Sequence, residues 1–199
     1  GICADAIATI EGITREDLDK QAFETQQKAA RAIAEGRFDK SLVPVHDIDG
    51  NLVLDKEEFP RPQTTLEGLA ELQPSFAPVA DYPLDEAGTT YRGLILQKYA
   101  GLEITHMHHA GNSSGVVDGA GAVLLASPDY AKANGMKPRA RIVAMANMGD
   151  CPTLMLNAPV PAAQKVLAKA GLGVDDIDVW EINEAFAAQV LASLDELNL

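Results

Sequence analysis

The chain has 199 residues, of which 47% are hydrophobic, so it is long and apolar enough to bury a core. Its formal net charge of -13 and its pI near 4.6 argue against non-specific binding to nucleic acids or anionic membranes, because both need a basic face. No apolar run approaches the ~20 residues that cross a bilayer, and no charged and then apolar leader opens the sequence, so we expect a cytoplasmic protein.

Hydrophobic periodicity and capping residues predict mainly helices in the first half of the chain. The expected elements are a helix over 4–11, a long amphipathic helix over 14–36, a β-hairpin that turns at 49–51 and a helix over 65–74. The long helix is clearly marked, because Thr14 provides a capping side chain and Gly36 provides a stop. Residues 77–109 are irregular in composition, with one apolar patch at 94–96, and their structure is the least predictable from the sequence.

From residue 111 onward, strands and helices are predicted to alternate. The expected elements are a small-residue segment that becomes a buried strand by residue 127, a helix over 128–134, a strand over 139–146, a helix over 162–170 and a strand over 177–182. This order indicates a layered α/β domain. Asn183 would then lie at a strand-to-helix junction, where open α/β sheets bind ligands. The simpler alternative is that Asn183 is only the N-cap of the following helix.

Two cysteines and a group of histidines are the remaining residues with metal or redox chemistry. Cys3 and Cys151 are too few and too far apart to form a disulfide framework or a zinc site, so reduced thiols are expected. His106, His108 and His109 could place two imidazoles on one side of a strand. No carboxylate or cysteine stands nearby in sequence to complete a ligand set, so we expect no metal and favour a packing or ligand-facing role for His109.

Two motifs point to one family. Asn183-Glu184-Ala185-Phe186 and the sequence Ala-Gly-Asn-Ser-Ser-Gly at 110–115 both resemble the thiolase family, the acetyl-CoA C-acyltransferases. Further segments resemble the family in the same order, at 1–5, 14–19, 25–27, 61–67, 74–76 and 159–162. Several motifs in family order are far more specific than any one of them.

The resemblance implies an α/β fold in two parts. Residues 110–199 resemble the first half of the C-terminal domain, a partial layered α-β-α domain, and residues 1–109 resemble most of the inserted, mixed α+β loop domain that binds CoA. Both ends of the sequence look cut. The nucleophilic cysteine and the catalytic histidine of the family lie outside the part that this chain resembles. Neither Cys3 nor Cys151 stands in a cysteine motif of the family, so neither is expected to be the nucleophile.

The resemblance also implies a role for each candidate site residue. Asn183 would hold an ordered water that completes an oxyanion hole, a role that suits an amide because it donates and accepts without a charge. Contacts to CoA or substrate are implied for Ser114 at the pantetheine arm, Arg61 at the adenine nucleotide, and Phe76, Ala110, Ala185 and Phe186 along the binding tunnel. Taken alone, the same residues would be interpreted as a tight turn, an exposed arginine and core phenylalanines.

The implied activity of the parent protein is cleavage of a 3-ketoacyl-CoA by CoA through a cysteine acyl-enzyme, as in the degradation of fatty acyl chains. CoA would be a substrate and no cofactor is expected; the parent is expected to be a homo-oligomer, a dimer or tetramer. The alternative is an inactive CoA-binding or assembly piece, because nucleophile and base are missing. A ketoacyl synthase is less favoured, because Asn-Glu-Ala-Phe is not typical of that class.

Three departures from the family pattern carry expectations of their own. Residues 77–109 are longer than the same connection in short-chain biosynthetic thiolases, and we expect them to reshape the acyl pocket. Residues 155–159 replace the commoner Met-Gly-x-Gly-Pro, so the resemblance does not predict the local backbone geometry there. Gly68 stands where some relatives carry a serine that contacts CoA.

Overall fold

The computed structural model describes residues 1–199 and contains seven α-helices and one two-stranded antiparallel sheet. The elements are α1 (Ile2–Glu11), α2 (Arg15–Ala34), β1 (Val45–His46), β2 (Leu52–Leu54), α3 (Leu66–Ala70), α4 (Tyr91–Lys98), α5 (Pro128–Ala133), α6 (Pro159–Ala170) and α7 (Ala187–Leu197). Single 3₁₀ turns lie at Ala77–Val79 and Val174–Asp176. None of the helices combines the length and the apolar character that crossing a membrane requires.

Local signals place the helices and the hairpin, and these predictions are confirmed. Gly12 ends α1 in the left-handed conformation, with φ of 69°, and its N–H donates to the carbonyl of Ala8. α2 begins with a capping box: Thr14 accepts a hydrogen bond from the Asp17 N–H, and the Asp17 carboxylate accepts one from the Thr14 N–H. Such caps satisfy backbone groups that a helix end leaves unpaired.

The core is built around α1. This helix carries Ala4, Ala6, Ile7 and Ala8, all almost fully buried, so neighbouring elements approach its backbone closely. The 13 residues of the main hydrophobic cluster come from α1, α2, α4 and α7 and from the segments between them: Ile2, Ala6, Ile7, Ala8, Leu18, Ala80, Ile95, Ile104, Met107, Leu154, Ala187, Ala188 and Ala192. The core therefore joins the two sequence regions that were expected to be separate domains.

The predicted strands of the second half are wrong as hydrogen-bonded strands. Residues 115–127, 139–146 and 177–182 carry no regular secondary structure, and the only sheet is the β1–β2 hairpin. A strand needs a neighbour to satisfy its backbone N–H and C=O groups, and none of these segments pairs with another. Their apolar side chains are exposed, for example Val123 at 85% and Leu124 at 81%.

The structure of residues 77–109 was the least predictable from the sequence. The segment contains α4, which begins at a Thr90 N-cap whose side chain accepts a hydrogen bond from the Gly93 N–H. Only Ile95 of this helix is fully buried, so the helix has too weak an apolar face to be recognised from periodicity. α4 packs against α1 and thereby anchors the segment to the core.

We predict that Thr14→Ala lowers the free energy of unfolding by about 1 kcal/mol, because it removes the N-cap acceptor of α2. The measurement is urea denaturation followed by circular dichroism. Thr14→Ser keeps the oxygen and should retain most of the stability. An equal loss in the serine variant would contradict the capping explanation.

Candidate active site

One buried carboxylate organises the segment that leads to the 110–115 motif. Asp5 of α1 is fully buried and accepts hydrogen bonds from the N–H of Met107 at 3.0 Å and of His108 at 2.9 Å. The Nδ1 atoms of His106 and His108 each lie 2.7 Å from its oxygens. Burial on its own would raise the pKa of Asp5, but the hydrogen bonds from His108, Met107 and His106 outweigh it and lower the pKa below its ordinary value.

The network continues from His106 to the surface. An Arg92 Nη2 atom lies 3.1 Å from His106 Nε2, and because arginine only donates, this nitrogen accepts. His106 Nδ1 therefore carries the hydrogen that it donates to Asp5. Arg92 in turn pairs with Asp81 at 2.8 Å, and the hydrogen bond from Arg92 lowers the pKa of Asp81. α4 is thus linked to α1 by a chain of polar contacts as well as by packing.

A second buried carboxylate holds the motif itself. Asp19 of α2 accepts hydrogen bonds from His109 Nε2 at 2.8 Å and from the Asn112 side-chain amide at 3.0 Å. The N–H of Gly111 donates to His109 Nδ1, so the hydrogen of this imidazole is on Nε2. Burial lowers the pKa of His109 despite its hydrogen bond to Asp19. His109 is therefore a buried packing residue, which agrees with one of the two roles expected for it.

The three histidines are divided between two buried carboxylates. Nowhere in the chain do three or more histidine, cysteine, aspartate or glutamate side chains converge as a ligand group. His106 and His108 share Asp5, whereas His109 turns to Asp19. His108 Nε2 is buried without a hydrogen-bond partner, and the ring packs edge to face on Phe186 with centroids 5.5 Å apart.

The two motifs that were recognised in the sequence are joined by backbone hydrogen bonds. The N–H of Ser114 donates to the carbonyl of Ala185 at 3.0 Å. The N–H of Ala187 donates to the carbonyl of Asn112 at 3.1 Å. A side-chain contact adds to this pairing, because Glu184 accepts hydrogen bonds from Thr25 at 2.8 Å and from Gln21 at 3.2 Å. Residues 183–187 are therefore fixed to the 112–114 turn and to α2.

Asn183 does not occupy the junction that the sequence predicted. No strand precedes it, and α7 begins only at Ala187 with Phe186 as its N-cap. The alternative that Asn183 caps the helix is therefore also wrong. Its side chain is exposed at the edge of a cavity of about 410 Å³, which Ala185, Trp180 and Met155 also line.

A second cavity, also of about 410 Å³, is lined by a different set of residues. Ser114 lines it together with Gln26 and Phe59, and Glu184 faces it as well. The glycines of the motif make room for protein side chains here: a Cβ at Gly111 would meet Leu69, and one at Gly115 would meet the ring of Phe59. Their small size is therefore used by packing.

Of the other predicted site residues, Ala185 lines the Asn183 cavity, and Phe76, Phe186, Ala110 and Arg61 line neither cavity. Phe76 and Phe186 are half-buried and pack edge to face with centroids 5.9 Å apart. Ala110 is exposed beside the 112–114 turn. Arg61 is exposed, and its backbone N–H donates to the Gln26 side chain at 2.7 Å, which places it next to the cavity of Ser114. Asn183 and Ser114 face different cavities.

The organising carboxylates were missed by sequence reasoning. Asp5 is the only charged residue in the apolar run from Ile2 to Ile10, and an isolated charge on a buried helix face must be paired. That signal, combined with the His-x-His pattern, could have identified the contact. The partners are 101 and 103 positions apart in the sequence, so local spacing could not show the contact.

The backbone of the 155–159 segment takes an uncommon conformation at Met155. Met155 adopts the left-handed conformation, with φ of 51°, which is uncommon for a residue other than glycine. Its N–H donates to the Cys151 carbonyl at 2.9 Å, so the turn is held from behind. Strained backbone of this kind persists where the surroundings determine it, and here it lines the Asn183 cavity.

Two family models match the chain. The model described as "Thiolase, N-terminal domain" matches residues 1–80, and the one described as "Thiolase, C-terminal domain" matches residues 136–199. The 3-ketoacyl-CoA thiolases of Pseudoalteromonas translucida and Hahella chejuensis are 41% and 39% identical to the chain over 202 residues. Each alignment covers 100% of this chain and 46% or 45% of the relative, so the chain spans less than half the length of these relatives.

Solved structures give the same result. Human mitochondrial 3-ketoacyl-CoA thiolase is 36% identical, with a TM-score of 0.78 over 100% of this chain and 44% of that one. The acetyl-CoA acetyltransferase of Bacillus anthracis is 34% identical, with a TM-score of 0.78 over 99% of this chain and 44% of that one. The chain therefore has part of the fold of these proteins, as the resemblance implied.

We predict that Asp5→Asn lowers the free energy of unfolding at neutral pH by about 3 kcal/mol, because buried donors lose their charged acceptor. The folded-state pKa of Asp5 is lowered, so its contribution is present at neutral pH and is lost as the pH falls through the acidic range. Urea denaturation at several pH values measures both effects.

The control for this experiment is Asp178→Asn, which changes an exposed carboxylate. It should leave both the stability and its pH dependence unchanged. If Asp5→Asn were as stable as the wild type, or if it kept the same loss of stability in acid, Asp5 would not organise this region.

Proposed function

Because this chain belongs to the thiolase family, we propose that the polypeptide containing it cleaves a 3-ketoacyl-CoA with CoA to give acetyl-CoA and a shortened acyl-CoA. The observation that carries the proposal is the hydrogen-bonded pairing of residues 183–187 with the 112–114 turn. It unites the two motifs on which the family resemblance depends. A rigid pairing of this kind is what a site needs to hold its polar groups in position.

Asn183 is the residue that we assign to the chemical step. Thiolysis develops negative charge on a thioester oxygen, and a neutral donor fixed near that oxygen stabilises it. The side chain of Asn183 is exposed at the cavity edge, whereas its backbone is held through the neighbouring Ala185. The amide can therefore orient a water or the oxygen directly without a charge that must be desolvated.

The CoA contacts are assigned to the residues around the second motif. Ser114 and the Phe76–Phe186 pair provide a hydroxyl and an apolar surface for the pantetheine arm, together with the small side chains of Ala110 and Ala185. Arg61 has an exposed guanidinium suited to the adenine nucleotide. Because the chain has a strongly negative net charge, a local cation is important for binding the anionic CoA.

A second candidate function is CoA binding without turnover. It is favoured by the environment of the two thiols, neither of which is paired with a histidine: Cys3 is half-buried with a pKa raised by burial, and Cys151 contacts Lys98. Thiolysis therefore needs a nucleophile and a base from outside these 199 residues.

An assay of the purified full-length polypeptide separates the two functions. Thiolysis predicts CoA-dependent loss of a 3-ketoacyl-CoA and formation of acetyl-CoA. Chromatography of the thioesters measures both. CoA binding in a calorimeter without any product would support the second candidate. If the protein neither bound CoA nor cleaved a 3-ketoacyl-CoA, both candidate functions would be contradicted.

We predict that Asn183→Ala in the full-length enzyme lowers kcat by about 10²-fold with little change in the KM for CoA, because it removes an oxyanion contact. Steady-state kinetics of thiolysis measures both constants. Asn147→Ala, which alters an exposed asparagine outside both cavities, is the control and should have no effect. Unchanged turnover in Asn183→Ala would remove this residue from the mechanism.

We predict the opposite pattern for Ser114→Ala and Arg61→Ala. Their contacts with CoA are the same in ground and transition states, so the KM for CoA should rise about fivefold, or ~1 kcal/mol, with kcat preserved. Arg37→Ala, which removes an exposed arginine paired only with Glu35, is the matched control. A fall in kcat at constant KM would contradict the assignment.

A further inference from the structure

An unusual contact joins α4 to the turn that precedes the Asn183 cavity. The Nζ atom of Lys98, in the last turn of α4, donates to the Sγ atom of Cys151 at 2.8 Å. The ammonium also lies 5.6 Å from the ring centre of Tyr99, which limits where it can move. A lysine and a cysteine from distant parts of the sequence are therefore held together.

Backbone groups complete the surroundings of the sulfur. The hydrogen bond from the Lys98 ammonium has the largest effect on the pKa of Cys151. Together with the hydrogen bonds from the N–H groups of Leu154 and Thr153, it lowers this pKa to about 6. A thiol with such a pKa is mostly a thiolate at neutral pH. Lys98 and Cys151 consequently form an ion pair, and the pair weakens as the pH falls through about 6 because the sulfur is then protonated.

The turn behind the sulfur leads directly into the cavity wall. The carbonyl of Cys151 accepts the hydrogen bond of Met155, and the carbonyl of Leu154 accepts that of Leu156 at 2.7 Å. Leu154 is buried in the core and fixes the turn from inside. Met155 and Leu156 line the cavity that contains Asn183, so a shift of Cys151 moves this wall.

We propose that the Lys98–Cys151 ion pair is a positioning device that ties α4 to the wall of the Asn183 cavity and thereby sets which acyl chains fit there. Lys98 and Cys151 are positioning residues, since neither lines the cavity. The acyl-chain part of the inference depends on the proposed thiolysis. The link between the ion pair and the cavity wall does not.

Other charged or titrating groups also face the ion pair. Tyr99, which follows α4, and Asp150 of the Cys151 turn influence the pKa of Lys98, and Cys151 influences the pKa of Cys3 in α1. Glu196 of α7 faces Asp150, and burial raises its pKa. Variants of the two paired residues are needed to assign any pH effect to the pair itself.

The first experiment measures the pH dependence of iodoacetamide alkylation of Cys151, with peptide mass spectrometry to distinguish it from Cys3. The wild type should show a midpoint near 6, and Lys98→Met should move it towards the ~8.5 of an ordinary thiol. Lys98→Arg should keep a lowered midpoint, and Lys132→Met, at an exposed lysine of α5, should not change it. An unchanged midpoint in Lys98→Met would overturn the ion pair.

The second experiment uses the only tryptophan of the chain. Trp180 lines the Asn183 cavity, so its fluorescence reports on this cavity without any need for activity. The wild type and Lys132→Met should show an emission change with a midpoint near 6, and both Lys98→Met and Cys151→Ser should lose it. If the wild type showed no change, or if both variants kept it, the link to the wall would be overturned.

The third experiment tests acyl-chain selection in the full-length enzyme. Lys98→Met should change the ratio of kcat/KM for a longer and a shorter 3-ketoacyl-CoA by a few-fold, with the KM for CoA unchanged, and Lys98→Arg should restore it. An unchanged ratio would overturn the role in selection. Absence of thiolysis in the wild type would reject the proposed function and with it the acyl-chain role, whereas the alkylation and fluorescence results would still decide the ion pair and its link to the wall.

Discussion

The buried carboxylate of Asp5 is the contact on which the arrangement of the site depends. A carboxylate without solvent is stable only when its oxygens are hydrogen-bonded, and Asp5 takes its donors from two imidazoles and two backbone N–H groups of one short segment. This requirement fixes the path of 106–108 against α1. His108 then packs on Phe186, so the same contact reaches the start of α7.

Asp19 and Glu184 extend this arrangement from α2. Asp19 holds His109 and Asn112, and Glu184 accepts hydrogen bonds from Gln21 and Thr25, which lie one turn apart on the same helix. The 112–114 turn and the 183–187 segment are thereby supported from both sides as well as paired with each other. A neutral amide and small side chains can then be presented at fixed positions, which suits binding and thioester chemistry better than a flexible loop would.

The sequence allowed prediction of features that depend on neighbours in the chain. α2 was recognised because its cap and its stop are local, and the family motifs were recognised because their residues are contiguous. The prediction of strands at 139–146 and 177–182 was wrong. A strand forms only beside a neighbouring strand, which is often distant in sequence, and neither segment has such a neighbour. The contacts of Asp5 with His106 and of Lys98 with Cys151 were missed for the same reason, as more than 50 residues separate each pair.

The most direct test of the account is a crystal structure of the full-length protein with an unreactive acyl-CoA analogue. The pantetheine arm should pass between Ser114 and the Phe76–Phe186 pair, and the thioester should lie within reach of the Asn183 amide, directly or through one water. His108 should remain on Asp5 and Phe186. A CoA bound away from these residues, or an Asn183 side chain turned away from the thioester, would contradict the account.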